Sequence, residues 1–259
     1  MKIIITGAKG FIAYHLIKNL EQFAELHRFD PSAAPTSYFM YPLWWDKFVK
    51  GCGGGIDMII HTGANADSTA SFADVMMQNV QTLEPVAETA YDYDCPLIFL
   101  SSAQAERPLN PYGWSKNIGE MYFRGAIDEK KLAILRLFNV WGTDESRKHN
   151  PSIIYKILHD NLPVIYEDCY RDFIHVKDAV TGIRGIINEW QSGLFHLGCC
   201  ETMSIIQLYK LLQPDNFPIE KVQERPEDVP QKLVASRWRY PKDFSPFSLD
   251  YRLNEPTSL

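Results

Sequence analysis

Residues 2–20 set a short apolar strand pattern, Lys2–Thr6, directly before Gly7-Ala8-Lys9-Gly10-Phe11-Ile12-Ala13 and a helical pattern that runs on to Leu20. A strand that turns on glycine straight into a helix has few folds open to it. Small residues at 7, 10 and 13 allow a tight turn at Gly7, a close approach of backbone N–H groups to a phosphate at Gly10, and packing of helix on strand at Ala13. The helix N-terminus adds orphan N–H donors and a partial positive charge. Asp30 follows the next apolar run, Glu25–Phe29, twenty residues after Gly10. At about that spacing a carboxylate meets the ribose hydroxyls of a dinucleotide. The pattern therefore reads as a dinucleotide site built on Gly7, Gly10 and Asp30 rather than as a turn that holds nothing.

The rest of the chain repeats the alternation. Ile56–His61, Pro96–Ser101 and Leu132–Leu137 read as further buried strands, and Phe72–Tyr91 and Pro111–Ala126 as further helices. Strands that alternate with helices imply an α/β fold, a Rossmann-like doubly wound parallel sheet covered on both faces. Residues 31–55 hold Pro31, Pro35, Pro42, Trp44 and Trp45, which predicts one short helix around Trp44–Lys50, with the tryptophans in core or interface. After Trp141 the pattern predicts helices at Pro151–Asp160, Lys177–Trp190 and Ser204–Leu212. Extended segments are expected at Pro163–Tyr166, Phe173–Val176 and Gly193–Leu197. Residues 1–150 are expected to form the nucleotide-binding domain and 151–259 a small C-terminal substrate lobe, with 163–197 contributing to both.

Composition narrows the function classes. Among 259 residues the formal charge is −6, which argues against a dedicated nucleic-acid or anionic-membrane surface. Five cysteines, at 52, 95, 169, 199 and 200, are odd in number and form no CxxC spacing. They imply a reduced, cytoplasmic compartment. The first apolar run is too short for a secretory core, and no apolar run reaches the ~18 residues of a membrane span. His, Cys and acidic residues do not cluster at metal spacing, so no metal is expected.

Tyr112 and Lys116 stand four residues apart in Pro111-Tyr112-Gly113-Trp114-Ser115-Lys116, on one face of the expected helix. A phenol with an ordinary pKa near ~10 is a poor base, but a neighbouring ammonium and an oxidised nicotinamide both favour the phenolate. Tyr112 would then accept a proton from a sugar hydroxyl as hydride leaves the carbon. Ser102, at the end of the preceding strand, would hold the same oxygen. Standing alone, such a pair is usually a solvated helix face; the upstream glycine turn gives it its meaning.

With these motifs in view, the chain resembles the extended short-chain dehydrogenase/reductase group, the NAD-dependent nucleotide-sugar epimerases and dehydratases. The resemblance runs through Thr6–Ile12, Ser101-Ser102, Tyr112–Lys116, Leu135–Gly142 and Arg171–Asp178. Within the family it is strongest to the heptose-epimerase branch, through His61-Thr62-Gly63-Ala64, Met76-Met77-Gln78-Asn79 and Pro108-Leu109-Asn110. The resemblance implies catalytic Ser102, Tyr112 and Lys116, with Lys148 as a second base. It implies that NAD is held by Gly7, Lys9, Gly10, Phe11, Ile12, Asp30, Thr62, Gly63, Ala64, Asn79, Ser101, Tyr112, Lys116 and Val140. It implies a nucleotide-diphosphate-sugar substrate held by Asn65, Ser102, Asn139 and Arg171, and a homodimer. Asp30, with no Lys or Arg from Pro31 to Met40, selects NAD over NADP.

The expected reaction is epimerisation through a transient keto sugar. The alternatives are a 4,6-dehydratase, a 4-reductase, or an inactive nucleotide-binding relative. Dehydratases of the family resemble Thr-Asp-Glu where this chain has Ser102-Ala103-Gln104, and the missing acids oppose that reading. The loop from Ser102 to Tyr112 is short for the family. His61 and His175 are expected to be structural, and Lys148 and His149 could equally be solvated loop charges.

Overall fold

The computed structural model describes residues 1–31, 40–67, 70–148, 150–159 and 161–255. Pro35, His149 and Asp160 lie outside them.

The first half runs β1 (Lys2–Thr6), α1 (Phe11–Leu20), β2 (Glu25–Phe29), α2 (Tyr41–Gly51), β3 (Met58–His61), α3 (Phe72–Asn79), α4 (Leu83–Asp92), β4 (Leu97–Ser102), α5 (Pro111–Ala126) and β5 (Leu132–Leu137). The second half runs β6 (Val140–Trp141), α6 (Ile153–Leu158), β7 (Ile165–Tyr166), β8 (Tyr170–Arg171), β9 (Ile174–His175), α7 (Val176–Asn188), β10 (Gly193–Leu197), β11 (Met203–Ser204), α8 (Ile205–Leu212), β12 (Val222–Gln223), β13 (Lys232–Leu233) and α9 (Leu249–Leu253).

The apolar strands pair in the order β10-β5-β4-β3-β1-β2, all parallel. Successive side chains leave a strand on opposite faces. Ile3 and Ile5 accordingly pack with Phe11, Leu16, Ala179 and Ile183 of α1 and α7. Ile4, between them, packs with Trp45, Val86 and Phe123 of α2, α4 and α5. Two cores of one chain thus sandwich one sheet, the expected architecture. The chain leaves β1 for β2 on one side and continues through β3 on the other, so the carboxyl ends of β1 and β3 flank a topological switch point. Small sheets β11-β8-β13, β12-β7 and β6-β9 and a third core around Trp141, Ile154, Phe173 and Leu208 gather the remaining elements.

One expected helix divides. Phe72–Tyr91 breaks into α3 and α4 around Thr82. Pro85 is the cause: inside a continuous helix its ring would clash with the carbonyl four residues back. With the helix restarted at Leu83, Pro85 falls in the first turn, where N–H groups have no partner anyway. Other limits shift by a few residues, as where Ser152 caps α6 through the Tyr155 N–H. The helix expected at Trp44–Lys50 forms within α2, where Trp45 is buried and its Nε1 donates to Thr89 Oγ1 at 2.7 Å.

Candidate functional site

Gly7 takes φ +62°, and a Cβ there would fall 2.5 Å from the Gly63 Cα. Only glycine fits where the turns after β1 and β3 touch backbone to backbone. Thr62 Oγ1 donates to the Thr6 carbonyl at 2.6 Å, and the Gly63 N–H donates to Thr6 Oγ1 at 3.2 Å. The Lys9 N–H donates to Asp30 Oδ2 at 2.8 Å, which draws the end of β2 to the turn. Gly10 is the N-cap of α1 and offers no side-chain cap. A Cβ at Gly10 would meet only the Gly7 carbonyl, at 3.1 Å. The first turn of α1 therefore points N–H donors with no side-chain acceptor past a cradle that a side chain would fill. A carboxylate stands at its edge. That donor set fits the pyrophosphate and ribose of a dinucleotide. Phe11 is buried, Ile12 packs half-buried against the core, and Ala64 is exposed beside Gly63.

Asn79 works behind this surface. Its Nδ2 donates to Asn65 O and Ser115 Oγ, and its Oδ1 accepts the Asn65 N–H. The amide ties the loop after β3 to α5. Asn65 Oδ1 in turn accepts the Asp67 N–H.

The Tyr–Lys pair sits across the end of β4. Asn110 Oδ1 caps α5 through the Gly113 N–H, with Pro111 in the first turn. Tyr112 and Lys116 then face one way, the Lys116 Nζ 6.0 Å from the Tyr112 ring centroid and 4.9 Å from that of Phe99. Lys116 is buried and donates to the Leu100 carbonyl at 2.7 Å. Burial pulls its pKa down to about 7, against the pull of the Glu120 carboxylate. Burial raises the Tyr112 pKa, and a hydrogen bond with Ser102 offsets part of the rise. His61 is buried against Phe99 and Phe123 and shares a 2.9 Å hydrogen bond with Thr6 Oγ1. Burial, assisted by the Lys116 charge, holds it down to about 3. His61 is thus a neutral structural histidine, as its apolar setting in the sequence implies.

Two of the expected contacts are engaged elsewhere. The Ser101 hydroxyl donates to Glu120 Oε1 at 2.6 Å, which leaves only its backbone for a cofactor. Lys148 Nζ donates to the Val140 carbonyl at 2.7 Å and to Glu145 Oε1 at 3.0 Å, and lies 4.2 Å from the Phe11 ring centroid. Lys148 is not a solvated loop charge: burial lowers its pKa while Glu145 pulls it back up.

On the far side, Asn139 Nδ2 donates to the Asp172 carbonyl at 2.8 Å, joining the end of β5 to the segment after β8. Arg171 is buried, its guanidinium donating only to backbone carbonyls, Tyr170 at 2.8 Å and Gln231 at 3.4 Å. Burial lowers its pKa, and the nearby Arg225 charge lowers it further. Among the described residues no carboxylate pairs with either arginine; Arg225 Nη1 donates to the Pro226 and Val229 carbonyls, and its Nε is buried without a partner. Two such cations call for an anion. Sequence reading missed Arg225; Arg225-Pro226 in the proline-punctuated tail was the available signal. It also missed Glu120, whose only mark was its place one turn after Lys116.

A parallel sheet with a glycine turn at its switch point and a Ser–Tyr–Lys group at the end of β4 defines a Rossmann-type dinucleotide-binding protein. The chain belongs to the NAD dependent epimerase/dehydratase family, whose model matches residues 3–198. It is 27% identical over 241 residues to an ADP-L-glycero-D-manno-heptose-6-epimerase of Pseudomonas paraeruginosa, covering 76% of this chain and 73% of the relative. Its fold is similar to that of UDP-glucose 4-epimerase from Thermotoga maritima, with TM-score 0.77 and 21% identity over 95% of this chain and 94% of that one. It is also similar to that of ADP-L-glycero-D-manno-heptose-6-epimerase from Helicobacter pylori, with TM-score 0.73 and 20% identity over 95% and 91%.

Proposed function

We propose that the protein is an NAD-dependent epimerase of a nucleotide-diphosphate sugar. The observation that carries this is the convergence of Ser102, Tyr112 and Lys116 at the carboxyl end of β4, in the sheet whose switch point bears the glycine turn. Gly7, Lys9, Gly10, Phe11, Ile12, Asp30 and the loop 62–64, with the backbone at Ser101 and Val140, would hold NAD. When bound, NAD would supply a reversible hydride acceptor for the sugar carbon. Asp30 would repel a 2′-phosphate and so select NAD over NADP.

Ser102 holds the reacting hydroxyl, and Tyr112 accepts its proton as the carbon is oxidised. Lys116, in its ammonium form, stabilises the phenolate. Arg171 and Arg225 neutralise the diphosphate, while Asn65 and Asn139 line the sugar side. Lys148 becomes the second base on release from Glu145. Residues 1–150 form the NAD-binding domain and 151–259 the substrate lobe, with 163–197 serving both. The exposed Tyr91, Met121 and Tyr122 on α4 and α5 form the face of a homodimer. The free cysteines support a cytoplasmic location.

Epimerisation is favoured over dehydration because Ala103 carries no acid and the Gln104 amide is held by Asn110 at 2.7 Å. The test is incubation of the NAD-loaded protein with a panel of nucleotide sugars, product configuration being read by proton NMR. One sugar should convert to its epimer with no net absorbance at 340 nm. A released keto product, or no conversion of any sugar, overturns the reading.

A further inference from the structure

Three successive residues at the end of β4 grip α5 at three places. The Leu100 carbonyl accepts Lys116 Nζ, the Ser101 hydroxyl donates to Glu120, and Ser102 hydrogen-bonds Tyr112. The middle grip serves no catalytic group directly, yet it is the most heavily built. Glu120 is 4% exposed, and Arg136 of β5 closes on it bidentately, Nε to Oε1 and Nη2 to Oε2, both at 2.9 Å. The second carboxylate on Arg136, Glu106, is exposed and more distant at 3.7 Å. Phe99, under the Lys116 ammonium, also packs against α5, where a Cβ on Gly119 would fall 2.6 Å from its ring.

We propose that Glu120 is the positioning residue of the Tyr112–Lys116 pair, locking α5 in rotational register on β4 and supplying the anion that keeps the Lys116 ammonium charged. One turn separates Glu120 from Lys116, so its carboxylate lies along the same helix face. Bidentate binding to Arg136 and the short bond from Ser101 leave it one orientation. The charged and titratable groups facing Lys116 are Tyr112 and Glu120 on α5 and His61 on β3, with Arg136 of β5 behind Glu120. His61 is neutral and Tyr112 is protonated before NAD binds, so Glu120 is the anion that opposes the desolvation of Lys116. The importance of this for turnover rests on the catalytic roles proposed above; the titration itself does not.

The test needs no substrate. NAD-free protein carrying 13C at lysine Cε is titrated over pH and followed by proton–carbon NMR. The Lys116 resonance is assigned by its loss in Lys116→Met. In Glu120→Gln, which keeps the shape and the Ser101 contact, the Lys116 midpoint should fall by at least about one pH unit, a tenfold change in proton affinity. Glu120→Asp, which restores the charge, should recover most of that shift. Arg136→Gln, which strips the carboxylate of its partner, should move the midpoint up and stands in if Glu120→Gln does not fold. A merely structural Glu120 would lower the melting temperature in each variant without moving the midpoint in opposite directions. A Lys116 midpoint in Glu120→Gln or in Arg136→Gln within about 0.3 units of wild type overturns the proposal.

Discussion

Gly7→Ala and Gly10→Ala separate what the glycine turn does for the fold from what it does for a ligand. At Gly7 the methyl meets two costs. Its φ of +62° places an L-residue in the left-handed region, at roughly 1–2 kcal/mol. The new Cβ also falls 2.5 Å from Gly63 Cα and 2.8 Å from Gly63 N, backbone atoms that yield only if the β1 and β3 turns part. Overpacking of that kind costs about 1–3 kcal/mol. The sum, roughly 2–5 kcal/mol, should lower the melting temperature by roughly 5–15 °C for a chain of this size. At Gly10 the φ is −65°, and the Cβ meets only one carbonyl oxygen, at 3.1 Å. Stability should change by less than about 1 kcal/mol there, while the methyl intrudes where phosphate approaches α1. Differential scanning fluorimetry and calorimetric NAD titration read both effects. Gly7→Ala should lose stability and NAD binding together; Gly10→Ala should lose NAD binding alone. A Gly7→Ala protein melting within 2 °C of wild type, or a Gly10→Ala protein with unchanged NAD affinity, would refute the geometry argued here.

Tyr112→Phe should keep the fold and NAD affinity but lower turnover by ~10²–10⁴-fold, the usual share of a general acid–base group; a variant above about a tenth of wild-type rate removes Tyr112 as the base. Lys148→Met should slow inversion of configuration while sparing NADH formation in a half-reaction, and equal loss of both would remove Lys148 from the second-base role. His61, held neutral down to about pH 3, binds a proton in the unfolded chain from 6.5 downward. Through this group stability should therefore rise with pH from about 3 to 6.5, by about 2–3 kcal/mol between pH 4.5 and 7.5. Denaturant titrations at those two pH values should show a smaller difference for His61→Gln, and an equal difference would contradict the burial argument.

The strands were legible because a parallel sheet buried on both faces leaves continuous apolar runs, and β1 and β5 begin and end where those runs do. The glycine turn and the Tyr–Lys helix were legible because their chemistry demands fixed local spacing. What escaped was non-local. The split at Thr82 is the local exception and follows from Pro85 within a pattern otherwise helical throughout. Arg136 lies sixteen residues from Glu120 in sequence and Arg225 more than fifty from Arg171, so no periodicity links the partners. Resemblance makes Asn79 a residue that holds NAD, and only the fold shows that its amide is absorbed by Asn65 and Ser115. Resemblance names Lys148 as a second base, but its clasp by Glu145 depends on how the 143–148 turn lies against Phe11.

Transient oxidation of the sugar is the central claim, and isotope transfer tests it most directly. The nucleotide sugar that the protein inverts would be prepared with deuterium on the inverting carbon and incubated with NAD-loaded protein in ordinary water. Product would then be examined by mass spectrometry and NMR. Tyr112 as proton acceptor and a hydride returned to the same carbon predict full retention of deuterium at the inverted centre, with none in solvent and none accumulating in free NADH. Washout of the label to water, or its permanent transfer to released cofactor, would contradict the account.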